Sequence, residues 1–265
     1  MAIPIWRHRF VIAGFVVAVL GIVAADGTWA QEAKPEPVYL DEPEAEPEPT
    51  VAREGDVSDK YEDGKVRVER HIQQLSDDQI VNHGKFIEYY RNGEKFAEGN
   101  YVHGIHDGPW SYWYDNKQLA KTVTFKNGSP DGAWDSFRKD GTLEAKKNYK
   151  DGLRQGAWIL YYEDGKTVKE ERNYVDSKLD GSSKSYHENG KPRQEASYKA
   201  NLLDGQMTEW DETGRKVAEA TFKGGKLDGK LTRWNNDGSV FEQSYSEGKV
   251  VGGPMEAKPT PPPAQ

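Results

Sequence analysis

The residues best suited to chemistry in this 265-residue chain are a few histidines and aspartates. His103, His106 and Asp107 share the stretch VHGIHDG, and His83 precedes them. Imidazole and carboxylate together are the ligand types of a transition-metal site. Such a site needs a third strong ligand at a fitting spacing. Glycines stand there instead, so these read as surface-loop residues and no metal site is expected. Asp107, Asp131, Asp180, Asp204 and Asp228 each stand immediately before a glycine. Carboxylates aligned along one edge would suit calcium, but Asx turns explain Asp before Gly without an ion. The chain lacks G-x-S-x-G, a phosphate-binding glycine loop and H-E-x-x-H. It has no cysteine, which removes disulfides, thiolate metal sites and a cysteine nucleophile. A catalytic site needs a unique constellation in a pocket. None is legible, so no catalytic residue and no cofactor is expected, and the chain reads as a non-enzyme.

Charge and composition narrow the partners. Lys and Arg number 36 and Asp and Glu 44, a net charge of −8. That balance offers no cationic excess to neutralise phosphates, so nucleic acid is not an expected partner. Only 35% of residues are apolar and mean hydropathy is −0.91, which argues against a thick core. Yet aromatics reach 11% and glycines number 27. Disordered chains are poor in aromatics, so rows of rings and tight turns must order this one.

The elements that position those rings are repeats. Gly84, Gly108, Gly132, Gly156, Gly181, Gly205, Gly229 and Gly252 recur every 24 residues, with one interval of 25 and one of 23. Five residues past the opening glycine stands an aromatic in all seven units: Tyr89, Trp113, Phe137, Tyr161, Tyr186, Trp210 and Trp234. Nine past it stands a turn glycine, and only Lys117 breaks that row. About seventeen past it comes a second aromatic: Tyr101, Phe125, Tyr149, Tyr174, Tyr198, Phe222 and Tyr245. An eighth, degenerate unit over 55–83 reads as a cap.

Asn92-Gly93, Asp140-Gly141, Asp164-Gly165, Asn189-Gly190 and Asp237-Gly238 are strong hairpin signals. No stretch of the body sustains a helical period. Each unit therefore reads as one hairpin with a second Gly-containing turn leading to the next. The expected fold is all-β: an elongated single-layer antiparallel meander of about seven 24-residue hairpins plus the cap, 14 to 16 strands in all, in which each hairpin stabilises its neighbours.

The two uniform aromatic rows are expected to be structural, each ring packing on the next hairpin. The position two past the glycine varies: Phe86, Trp110, Trp134, Trp158, Ser183, Met207, Leu231. Positions two and five differ by an odd number and should face opposite sides of the sheet. Trp110, Trp134 and Trp158 are then candidates for an exposed, partner-binding stripe.

The pattern G-x-W-x-x-Y-Y-x-x-G-K followed by E-x-x-Y-x-x-G-x-x-x-G, with GAWILYYEDG at 156–165 as the best copy, resembles the MORN repeat in its bacterial variant form. The resemblance covers roughly 84–252 and is similar in particular to YwqK-type antitoxins. It implies a hairpin-repeat scaffold that binds proteins, and the antitoxin likeness implies a toxin partner. It implies no catalytic residues.

Residues 1–30 have the layout of a signal peptide: Arg7 and Arg9, an apolar run over 10–25, then Thr28 and Ala30 before a cleavage point at Gln31. The expectation is export to the periplasm or beyond, with an uncleaved membrane anchor as the alternative. Residues 31–54 read as an acidic, proline-rich linker, 84–253 as the repeat array and 254–265 as a proline-rich tail. The partner expected is another protein. A cell-envelope glycan is the alternative.

Overall fold

A computed structural model describes residues 49–257. The segments read as signal peptide and most of the linker lie outside the described residues, as does the end of the tail. The described chain is a single antiparallel sheet of eighteen strands. β1 (Val51–Lys60) and β2 (Val66–Leu75) form the first hairpin. They are followed by β3 (Ile80–Tyr89), β4 (Lys95–Val102), β5 (Ile105–Trp113), β6 (Leu119–Lys126), β7 (Ser129–Phe137) and β8 (Leu143–Lys150). A strand broken at Gln155 supplies β9 (Leu153–Arg154) and β10 (Gly156–Tyr161). The second half is β11 (Val168–Val175), β12 (Lys178–Tyr186), β13 (Pro192–Lys199), β14 (Leu202–Trp210), β15 (Lys216–Lys223), β16 (Lys226–Trp234), β17 (Val240–Ser246) and β18 (Lys249–Ala257). Pairing is strictly sequential, and β8 pairs with both halves of the broken strand.

The meander is therefore the expected one, with differences in extent. There are eighteen strands rather than 14 to 16, because the outgoing strand of the fourth unit is broken in two and a further strand, β18, follows the seventh unit. β1 begins at Val51, inside the segment read as linker, and β18 runs to Ala257, into the segment read as tail.

The turns at the two edges of the sheet differ. At one edge, each Gly of the ninth position closes a three-residue loop, except Gly165, whose loop has four residues because the Tyr162 N–H donates to the Thr167 carbonyl. The Gly93 N–H donates to the Tyr90 carbonyl and the Tyr90 N–H to the Glu94 carbonyl. Gly93 has φ +90° while Asn92 does not lie in the left-handed region. This is a type I turn with a left-handed bulge residue, and in the second unit Lys117 takes that conformation at φ 72°. The tight two-residue turns lie at the other edge. There His103-Gly104, Asn127-Gly128 and Asp151-Gly152 have positive φ at both residues, the signature of type I′.

Each unit also carries a bulge at its opening glycine. Val123 pairs with Trp134 and Phe125 with Pro130, so Asp131, Gly132 and Ala133 together face Thr124. Gly132 is at φ +111°. Extra residues on one strand bend it and increase its twist. Repeated once per unit, the bend is distributed along the whole sheet.

With side chains alternating along each strand, the two faces differ in character. The ladder face carries the even positions of each outgoing strand. Its best-packed part is Ala97, Trp110 and Val123, with Phe86, Tyr101, Tyr112, Phe125 and Trp134 against them. The reverse face carries the position-five aromatics among charged residues. Tyr89 Oη donates to Glu69 at 2.8 Å, and Lys95 Nζ lies 5.7 Å from the Trp113 ring centroid.

Candidate functional site

The uniform and the variable aromatic rows are one structure rather than two. The rings at positions two and seventeen interleave on the ladder face. Phe86 meets Tyr101 at 5.2 Å between centroids, and Tyr101 meets Trp110 at 5.1 Å. Farther along, Trp134 meets Tyr149 at 5.5 Å, Tyr149 meets Trp158 at 5.3 Å, and Trp158 meets Tyr174 at 5.2 Å. The position-five row, from Tyr89 to Trp234, makes no ring–ring contact among the described residues. It does stand opposite position two, as the odd spacing requires.

The Trp stripe consequently divides. Trp110 is 2% exposed and is a core residue, which corrects its assignment to a binding surface. Its indole Nε1 donates to the Asn100 carbonyl at 3.0 Å, so the ring leans back over the previous hairpin. There it meets Gly99, whose missing side chain leaves the space the indole fills. Trp158 leans back in the same way, Nε1 donating to the Asn148 carbonyl at 3.0 Å. The residue beneath it is Lys147, because Ile159 pairs with Lys146. Trp158 is half-buried, with Lys147 Nζ 5.2 Å from its centroid. The position fifteen past the glycine therefore sets how deep each Trp sits. Sequence reading overlooked it, although the series Gly99, Val123, Lys147 was available.

Trp134, also half-buried, donates from Nε1 to Ser136 Oγ at 3.2 Å. Lys121 Nζ lies 5.1 Å from the Trp134 centroid and 4.2 Å from that of Tyr112. The Arg154 guanidinium lies 5.6 Å from Trp158 and 4.3 Å from Tyr174. Arg154 is fixed there by its bond to the Ser177 carbonyl at 2.7 Å. Burial holds the Lys121 ammonium below its ordinary pKa.

Past Tyr174 the ladder face turns hollow. Position two becomes Ser183, and a cavity of about 570 Å³ opens over Glu170, Arg172, Ser183, Ser185, Gln194 and Glu209. Arg172 pairs with Glu170 at 2.8 Å and Gln194 donates to Glu209 at 2.9 Å.

The histidines and aspartates have structural work. His106 stacks between Tyr101 and Phe125, at 4.6 and 5.0 Å, and burial lowers its pKa. His83 Nδ1 accepts the His103 N–H at 3.3 Å. Three of the five aspartates bond across to the next unit rather than in the expected local Asx turns. Asp131 accepts the Asp151 N–H, Asp180 the Ala200 N–H and Asp204 the Gly224 N–H. Each caps the first residue of the next unit's tight turn, twenty residues on. Among the described residues no group of three His, Cys, Asp or Glu side chains is placed to hold a metal.

The tight-turn rim carries aliphatic side chains on the reverse face. Val102, Ile105, Leu153, Val175 and Leu202 are 42–52% exposed. They occupy two cross-paired positions of successive units, as in Val102 opposite Ile105. Ile105 lies against Gly128 of the next turn. Across the turn from Leu153, Val175 and Leu202 stand Lys150, Lys178 and Lys199, and one turn between holds Lys126 opposite Ser129.

The MORN repeat variant family matches four segments, residues 82–103, 107–127, 154–176 and 179–200. Each coincides with most of one hairpin unit. No curated protein matches the chain.

Proposed function

We propose that this chain is an exported, non-catalytic repeat scaffold whose tight-turn rim docks a partner protein. The observation that carries this reading is the file of five half-open aliphatic side chains, Val102, Ile105, Leu153, Val175 and Leu202, on equivalent positions of an open sheet. Apolar patches of that kind, edged by polar groups, are typical of protein interaction sites. The four lysines that alternate with them suit a partner whose contact strip is apolar with acidic edges. The rigid spacing of hairpin repeats supports a scaffold, since it presents the same contact several times along one line. The arginines and apolar run of residues 1–30 support export. The antitoxin likeness would make the partner a toxin protein, met on the same rim.

The test is site-specific photocrosslinking in the native host. A photoreactive residue at Leu202 or Ile105 is expected to trap one discrete protein species. The same residue at Glu195, exposed in the middle of the reverse face, is expected to trap nothing. Equal trapping at both places, or none at the rim, would remove the rim as the docking site.

A further inference from the structure

We propose that the ladder of Trp134, Tyr149 and Trp158, with the hollow that opens past the buried Tyr174, binds a linear polysaccharide bearing a carboxylate on every second pyranose ring. This surface is on the face opposite the rim aliphatics, so the proposal stands apart from the protein-docking reading.

The first argument is charge. The chain is acidic overall, with a net charge of −8. On the reverse face, away from the tight-turn rim, five lysines are paired: Lys85 and Lys95 with Glu98, Lys184 with Glu195, Lys216 with Glu219 and Lys230 with Glu242. On the ladder face Lys121, Lys147 and Arg154 have no carboxylate within ion-pair distance among the described residues and lie over rings instead. Cations kept beside aromatic faces, in a protein with carboxylates to spare, call for an anion from outside.

The second argument is chemistry. Half-open Trp and Tyr rings offer flat apolar surface with a polar margin. Pyranose rings present a matching C–H face, with hydroxyls around the rim. The hollow supplies the partners for those hydroxyls: carboxylates of Glu170 and Glu209, the Gln194 amide, and Ser183 and Ser185.

The third argument is spacing. Equivalent strands of successive units are two strands apart, about 10 Å. Trp134 and Trp158 stand at that separation with one ring, Tyr149, between them. One lysine accompanies each Trp, Lys121 at Trp134 and Lys147 at Trp158, and Arg154 adds a second cation at Trp158. A disaccharide of an extended glycan covers a comparable length. One anionic sugar per disaccharide would then meet one lysine per unit. An acidic polypeptide in extended form advances about 3.3 Å per residue and has no such two-ring period.

The experiment is titration calorimetry on the full chain after removal of the signal segment, with four probes. Hyaluronan oligosaccharides carry a uronate on alternate sugars. Peptidoglycan glycan strands freed of their stem peptides carry a lactyl carboxylate on alternate sugars. Chitin oligosaccharides have no carboxylate, and poly-L-glutamate has no sugar. Binding by one of the first two is expected, at least about tenfold tighter than by either of the others, and which one binds identifies the source of the carboxylate. Equal binding of chitin would overturn the charge argument. Equal binding of polyglutamate would make the site one for an acidic protein segment and overturn the proposal. Binding by none of the four would overturn it too. Lys147→Gln combined with Arg154→Gln should weaken binding about tenfold or more at an unchanged melting temperature. Lys230→Gln, on the reverse face and outside the hollow, should leave it unaltered. Equal effects from the two faces would also defeat the assignment.

Discussion

Gly99 and Trp110 share one volume: the β-carbon that Gly99 lacks would fall inside the indole of Trp110. Gly99 does not have a positive φ, so its requirement is steric. Gly99→Ala is expected to force the ring out of its seat and destabilise the chain by about 1–3 kcal/mol, read by urea unfolding. A fully tolerated alanine would mean the ring has another place to go.

The contrast between Trp110 and Trp158 gives a second expectation. Trp110→Ala removes a buried ring and should cost about 3–5 kcal/mol. Trp158→Ala removes a half-open one and should cost about 1 kcal/mol. Matched thermal melts measure both. Equal losses would show that the residue beneath each ring does not govern its burial.

Lys117 occupies the one ninth-position site without glycine, at φ 72°. A side chain in that conformation costs about 1 kcal/mol. Its ion pair with Glu94 at 3.1 Å is exposed and weak compensation. Lys117→Gly should raise stability by roughly 1 kcal/mol. A lower melting temperature would contradict this.

Acid should loosen the turn edges before the ladder. Asp211 is held down to about 2, chiefly by the Thr213 hydroxyl and then by turn and Arg215 bonds. Asp131 is lowered by Lys150 and by the Asp151 N–H. A carboxylate with a depressed folded pKa adds stability above its unfolded value and loses it as pH falls through the folded one. The melting temperature is thus expected to fall between pH 3.8 and about 2. Asp211→Asn should show a shallower fall over the same interval. An identical slope would remove Asp211 from the account.

Secretion of the full chain from a Gram-negative host should yield protein beginning at or near Gln31. N-terminal sequencing of the mature material decides this. An intact Met1 on cytosolic protein would exclude the export reading.

Much of the fold was legible because every unit states its two turns and two aromatics in the same order. Asn189-Gly190 and Tyr198 mean the same thing as Asn92-Gly93 and Tyr101, so errors at one unit are corrected by six others. The division of labour among the tryptophans was not legible in that way. It depends on which residue lies across the bulge, Gly99 under Trp110 or Lys147 under Trp158, and that register appears only once strands pair. The aspartates were misread for a related reason. Asp180 satisfies Ala200, twenty residues later, whereas an Asx turn is a local bond.

The two edges of the sheet are stitched by different threads. At one, Tyr90, Tyr114 and Tyr162 each donate a phenol to the carbonyl of the next unit's fifth residue, Trp113, Phe137 and Tyr186. At the other, the aspartate caps do the equivalent. Every stitch joins one unit only to the next. Deleting or duplicating a whole 24-residue unit therefore leaves all stitches closed, while removing a few residues opens both seams. The array can change length only in steps, which makes it a ruler whose graduations are hairpins.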